Sequence, residues 1–140
     1  VIQSRNSSNP LTLRVRMTGV IVFAHGSSIE SANDAVRAVV AQMGAGGGYP
    51  LLEAAFLEGG KPGLKESVQN LMARGATRIV VVPYFLTLGL HLQRDLPKLV
   101  EEIRVDYPTL NEVQVTEPLD GHPALIEILK ARAEAACTRV

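Results

Sequence analysis

Hydrophobic and polar positions along the chain alternate between two patterns. Short runs rich in Val and Ile, with little polar alternation, read as strands buried on both faces. GVIVFAH at 19–25 is the first, YPLLEAAFLE at 49–58 the second, ATRIVVVPYF at 76–85 the third and NEVQVTEP at 111–118 a short fourth. Between them lie stretches with helical periodicity. SIESANDAVRAVVAQM, 28–43, has apolar residues near 32, 35, 36, 39, 40 and 43, with Ser28 or Ser31 as its N-cap. GGKPGLKESVQNLMARG, 59–75, is a turn and then a helix packed through Leu64, Val68, Leu71 and Met72, with Gly75 ending it. A third helix is expected to start around Asp95–Pro97, because proline suits a first turn, and to bury Leu96, Leu99, Val100 and Ile103. The fourth runs from about Pro123 to Ala136, with Leu125, Ile128 and Leu129 inward.

Four β-α units in series predict an α/β protein: a three-layer α/β/α fold around an open four-stranded parallel sheet, with strand order 2-1-3-4. One domain over 19–136 is expected, after a flexible lead at 1–18 and before a short tail at 137–140. In such sheets ligands bind beyond the carboxyl ends of the strands. His25 follows strand one, Glu58 ends strand two and His91 lies beyond strand three; Asp120 and His122 follow strand four. With order 2-1-3-4, His25 is central, between Glu58 and the loop to His91.

Composition narrows the function classes. The chain has 140 residues, 46% apolar, enough for one sizeable core. Net charge is zero, but Arg5, Arg14 and Arg16 carry the first 18 residues without an acid. From residue 19 onward 11 basic side chains face 14 acidic ones, a formal excess of three negative charges. That offers no general attraction for nucleic acid or an anionic membrane. The apolar runs are too short for a membrane span. A lone Cys137 closes no internal disulfide and fits a reducing, cytoplasmic setting. Residues 1–16 lack a hydrophobic signal core, and Met17 reads as a natural start.

Two imidazoles and a carboxylate on one rim suit a borderline divalent cation such as cobalt, iron, nickel or zinc, and imidazole takes protons near neutrality. Each residue also has a plainer reading. His25 can be a turn histidine bonded to backbone. Glu58 can cap or pair with Lys61. His91 ends an apolar stretch, YFLTLGL, that can be a lid or an oligomer contact. His122 in GHPAL is read first as a helix cap. HGSS is neither a GxGxxG, nor a phosphate loop, nor a GxSxG elbow. Ser27 and Ser28, with the first amides of the following helix, could hold an anion.

VFAHGS at 22–27, AFLEGGKPGL at 55–64, GATRIVVVPYFLTLGLHLQRDLP at 75–97 and EPLDGHPAL at 117–125 together resemble the small sirohydrochlorin chelatases, the CbiX type of class II chelatases. The resemblance covers residues 19–136. It implies half of a ferrochelatase-like fold and insertion of a divalent metal into sirohydrochlorin, for cobalamin with cobalt or siroheme with iron. It implies no organic cofactor; the metal, Co2+, Fe2+ or Ni2+, is a substrate. His25 and His91 become the active-site pair that binds metal and accepts pyrrole protons, with Glu58 a further metal-site group. The macrocycle is expected against Tyr84, Phe85 and Leu88, its carboxylates against Ser27, Ser28 and Arg94. Where many relatives read HGSRDPRAN this chain has HGSSIESAN, so two arginines at the mouth are replaced by Ser28 and Ser31, and Arg94 is left to compensate. A single open sheet offers too little wall for a tetrapyrrole, so a homodimer with facing carboxyl edges is expected, joined through the YFLTLGL loop. The rival class is a non-catalytic metal or tetrapyrrole carrier using the same edge; a metal-dependent hydrolase is a weaker third.

Overall fold

A computed structural model describes residues 17–139. Most of the expected lead, and the last residue of the expected tail, lie outside the described residues. The element order is β1 (Thr18–Ala24), α1 (Glu30–Gly44), β2 (Leu52–Phe56), α2 (Leu64–Ala73), β3 (Arg78–Pro83), α3 (Leu90–Asp106), β4 (Glu112–Val115) and α4 (Pro123–Cys137). The four strands form one parallel sheet in the order β2-β1-β3-β4, as the sequence pattern predicts. Register follows from side-chain period two: Val22 stands opposite Ala54 on one side and Val82 on the other, Phe23 opposite Ala55 and Pro83. All seven residues of central β1 are buried, which is why its sequence shows no polar alternation.

The larger core lies on the sheet face covered by α2 and α3. Ile21, Phe23, Ile79 and Val81 meet Leu64, Val68 and Leu71 of α2 and Leu92, Leu96, Val100 and Ile103 of α3. Full burial of each large side chain there contributes on the order of 2 kcal/mol. The opposite face has a smaller cluster, Val22, Ala24, Ala54 and Phe56, beneath Val36, Val40 and Met43 of α1.

Three local expectations are corrected. The third helix starts at Leu90, not near Asp95. Gly89 caps it in an extended conformation, and Gln93 N–H donates to the Gly89 carbonyl at 2.9 Å. Burial of Leu92 and Leu96 holds these added turns on the sheet. Pro97 therefore sits in the helix interior, where its missing N–H leaves the Gln93 carbonyl without a helical donor; packing overrides the local cost. Second, α1 is capped by neither Ser28 nor Ser31. Its N-cap is Ile29, whose N–H donates to Ser27 Oγ at 3.0 Å. Third, α4 buries none of its residues. Leu125 is half-buried, but Ile128 and Leu129 are exposed, because nothing described in the chain covers them. Among the described residues no helix is long and apolar enough to cross a membrane.

Candidate functional site

The connections after β1 and β2 run back to back at the carboxyl rim. The sheet ladder continues past the strand ends: Leu57 N–H donates to the Ala24 carbonyl at 2.9 Å and Glu58 N–H to the His25 carbonyl at 3.0 Å. Contact is so close that two positions admit only glycine. Gly26 has φ +87°, and a Cβ there would lie 1.7 Å from the Glu58 carbonyl oxygen; Gly59 has φ +70°, with a Cβ 2.7 Å from the Ser27 carbonyl carbon. Asn33 of α1, 1% exposed, clamps both loops. Its Oδ1 accepts from Ser27 N–H at 2.9 Å, and its Nδ2 donates to the Ser27 carbonyl at 2.9 Å and the Gly59 carbonyl at 3.0 Å.

This clamp sets His25 beside Glu58, with Nε2 and Oε1 3.6 Å apart and both side chains exposed, at 61% and 70%. His25 Nδ1 lies 3.2 Å from the Gly26 carbonyl. A carbonyl only accepts, so this contact favours the proton on Nδ1, which leaves the Nε2 lone pair on the side of Glu58, in the form a metal requires. The His25 ring also meets Phe85 edge-on at 6.4 Å, and Phe85 meets Phe23 of the core at 6.2 Å. The imidazole is exposed yet braced from below.

His91 stands in the first turn of α3, so its direction is set by a helix rather than a loop. Arg94, three residues on, donates to His91 Nδ1 at 3.2 Å. A guanidinium only donates, so the proton of a neutral His91 sits on Nε2. The two imidazoles thus hold opposite tautomers: His25 presents a lone pair at Nε2, His91 an N–H.

His25 and His91 line one hollow of about 270 Å³, together with Asp95, Leu57, Phe85 and Leu90. Leu57 and Leu90 are exposed in its mostly apolar wall, and Tyr84 and Leu86 are exposed in the same β3–α3 connection. Glu58 touches His25 but is not part of the lining. Among the described residues no three His, Cys, Asp or Glu side chains stand close enough to hold an ion together. Ser27 Oγ already accepts from Ile29, Ser28 is exposed, and Leu88 is half-buried against the core. His122 caps α4, its Nδ1 accepting from Ala124 N–H at 3.0 Å, so the capping reading of this residue holds.

Sequence reasoning missed Asn33, Asp95, Leu57 and Leu90. Asn33 was legible as an amide seven residues before Val40, on the packed side of an amphipathic helix. Asp95 was hidden by the helix start: only when α3 begins at Leu90 do His91 and Asp95 share a face at i, i+4.

Residues 19–136 match the CbiX family. A sirohydrochlorin cobaltochelatase from Sulfolobus acidocaldarius is 32% identical over 122 residues, which is 86% of this chain and 93% of that protein. One from Saccharolobus islandicus is 34% identical over 121 residues, 83% of this chain and 93% of that protein. The chloroplastic sirohydrochlorin ferrochelatase of Arabidopsis thaliana is 29% identical over 122 residues; that match takes in 87% of this chain but 54% of that protein, so the chain spans about half the length of this relative. Among solved structures, SirB from Bacillus subtilis with Fe3+ superposes with a TM-score of 0.77 at 22% identity, over 87% of this chain and 48% of that one. The cobalt complex of the Bacillus subtilis subspecies spizizenii SirB superposes equally, at 0.77 and 23%, over 84% of this chain and 50% of that one. At such identities the structural likeness concerns the fold.

Proposed function

The chain belongs to the CbiX family, and from that premise we propose that it inserts a divalent metal, cobalt or ferrous iron, into sirohydrochlorin. The observation that carries this reading is the shared hollow: His25 and His91 line one cavity at the carboxyl rim, beside an apolar mouth. The metal is a substrate, so it must be held and then released. Two imidazoles and flanking carboxylates on an open rim suit transient binding better than a closed structural site.

The macrocycle rests on Tyr84, Phe85, Leu88 and Leu90, and its peripheral carboxylates are met by Arg94, Ser27 and Ser28. His25, with its Nε2 lone pair on the side of Glu58, receives the cation, and Glu58 lends charge there. As the ring nitrogens take over the metal, two pyrrole protons leave. His25 is the acceptor once it has released the metal, Glu58 and Asp95 being the carboxylates at hand. His91, held by Arg94 with its proton on Nε2, begins as a donor toward the ring and binds metal only after Arg94 lets go. The balance is a free-base macrocycle and a dication giving the metallated ring and two protons; no water is activated.

The hollow is small beside the roughly 300–1,000 Å³ of ordinary ligand pockets, and a tetrapyrrole needs a second wall. A homodimer with facing carboxyl edges supplies it. The exposed thiol of Cys137 agrees with a reducing, cytoplasmic setting.

The test is an anaerobic assay of sirohydrochlorin with Co2+ and with Fe2+, followed by absorbance. His25→Ala and His91→Ala are each expected to slow insertion about 100-fold with the fold intact. Near-normal turnover in both removes them from the mechanism. Stoichiometric binding without turnover in the unaltered chain would mark it as a carrier.

A further inference from the structure

Arg94 stands between the two ionisable groups of α3 that line the hollow. His91 and Asp95 are spaced i, i+4, so they fall on one side of the helix. Arg94 reaches both: its Nη2 lies 3.2 Å from His91 Nδ1, and its Nε 3.7 Å from Asp95 Oδ1. Neither hold is strong. An imidazole nitrogen is a neutral acceptor, 3.7 Å is longer than a hydrogen bond, and the Arg94 side chain is 65% exposed. A carboxylate arriving from solution offers the guanidinium two charged oxygens in matching geometry, and so two parallel bonds in place of one.

The departure of Arg94 opens a second arrangement. With the guanidinium at Nδ1, the neutral imidazole carries its proton on Nε2, and that nitrogen takes no metal. With the guanidinium withdrawn, Nδ1 is free to hold the proton instead. The proton passes from one ring nitrogen to the other through solvent, and the charge of His91 does not change. Asp95, one turn on and released by the same movement, is an acceptor for the new Nδ1–H. A carboxylate behind an imidazole fixes the tautomer with its lone pair at Nε2 and makes that nitrogen a better ligand. His91 thus has two states, one held by Arg94 and one held by Asp95.

We propose that Arg94 is a latch, opened by a carboxylate of the incoming macrocycle, that makes His91 a metal ligand only once the ring is seated. The proposal rests on the chelatase reading of the hollow and adds to it the order of events. His25 lies outside the latch: its contacts are the Gly26 carbonyl, Glu58 and the edge of Phe85. The cation therefore has one imidazole before the ring docks and two afterwards. Docking and metal binding are coupled through a single guanidinium.

Nitrogen NMR of the full chain tests this, with Zn2+ as a diamagnetic stand-in for the cargo and metal-free sirohydrochlorin added separately under anaerobic conditions. Zn2+ alone is expected to shift the His25 nitrogens and leave His91 in its Nε2–H form. Sirohydrochlorin with a chelator present is expected to turn His91 to the Nδ1–H form. The methyl ester of the same ring, which has no carboxylate to offer, is expected to leave it unturned. In Arg94→Met, Zn2+ alone should engage both imidazoles and bind about fivefold more tightly, the worth of one hydrogen bond. Lys98→Met removes a cation one turn further along α3 but no donor to His91, and should do neither. Asp95→Asn should leave ring-bound His91 a mixture of tautomers. Zn2+ that reaches His91 in the unaltered chain without the ring overturns the latch. So does a ring that leaves the His91 tautomer as it was, an ester as effective as the acid, or Lys98→Met matching Arg94→Met. These readouts need no turnover. Cobalt or iron insertion by a chain whose His91 ignores the ring would sink the latch and leave the chelatase reading standing. A latch that answers the ring in a chain that inserts neither metal would do the reverse.

Discussion

Asn33 shows how one buried amide can hold a rim in place. It joins Ser27 and Gly59, on two different loops, through three backbone bonds at 3.0 Å or less. Asn33→Ala strands those partners at the edge of the core and should cost about 2–4 kcal/mol, read from urea unfolding, with insertion falling as His25 loses its brace. The imidazoles give a second residue-scale prediction. Arg94→Met removes the donor to His91 Nδ1, so the nitrogen resonances of His91 should move toward a mixture of tautomers while those of His25 stay put. The histidines were legible as rim residues from strand ends alone. Their opposite tautomers were not, because these depend on Gly26 and Arg94 as neighbours.

At the scale of elements, strand order and layer assignment could be read directly. Runs of β-branched residues mark buried parallel strands, and right-handed crossovers leave few ways to connect them. The start of α3 could not be read, because Pro97 is a strong local signal and Leu92 and Leu96 prevail only through tertiary packing. Pro97→Ala should restore the bond to the Gln93 carbonyl and raise stability by about 1 kcal/mol in urea unfolding, the gain reduced by the greater freedom of the unfolded chain. The first turn of α1 carries a pH signature. Glu30 is held below the ordinary carboxylate range, first by its hydrogen bond from Arg37 and then by one from Asn33. Its contribution is complete above the unfolded carboxyl's value and is lost as pH falls through the lowered folded value. The group is exposed, so the effect is small; Arg37→Met should lower the neutral plateau of the stability–pH curve slightly and so flatten its acid limb, with little change at the acid end, where Glu30 is protonated in both states.

For the whole molecule, the motif series indicated its family. The fate of α4 escaped, for a physical reason. Periodicity shows that a helix has an apolar side, but not whether the surface that covers it belongs to the same chain. Leu125, Ile128 and Leu129 have the spacing of a packed face, yet the described chain supplies no cover for the last two. The connection that launches α4 carries a separate consequence. Its amides are tied to the carbonyls of Phe85 and Leu86, within the loop that floors the rim. A guest that displaced this loop would pull on the base of the helix through those two bonds. By thermodynamic reciprocity, whatever α4 grips alters the guest's affinity by the same factor that the guest alters the grip. Neither affinity can be tuned alone.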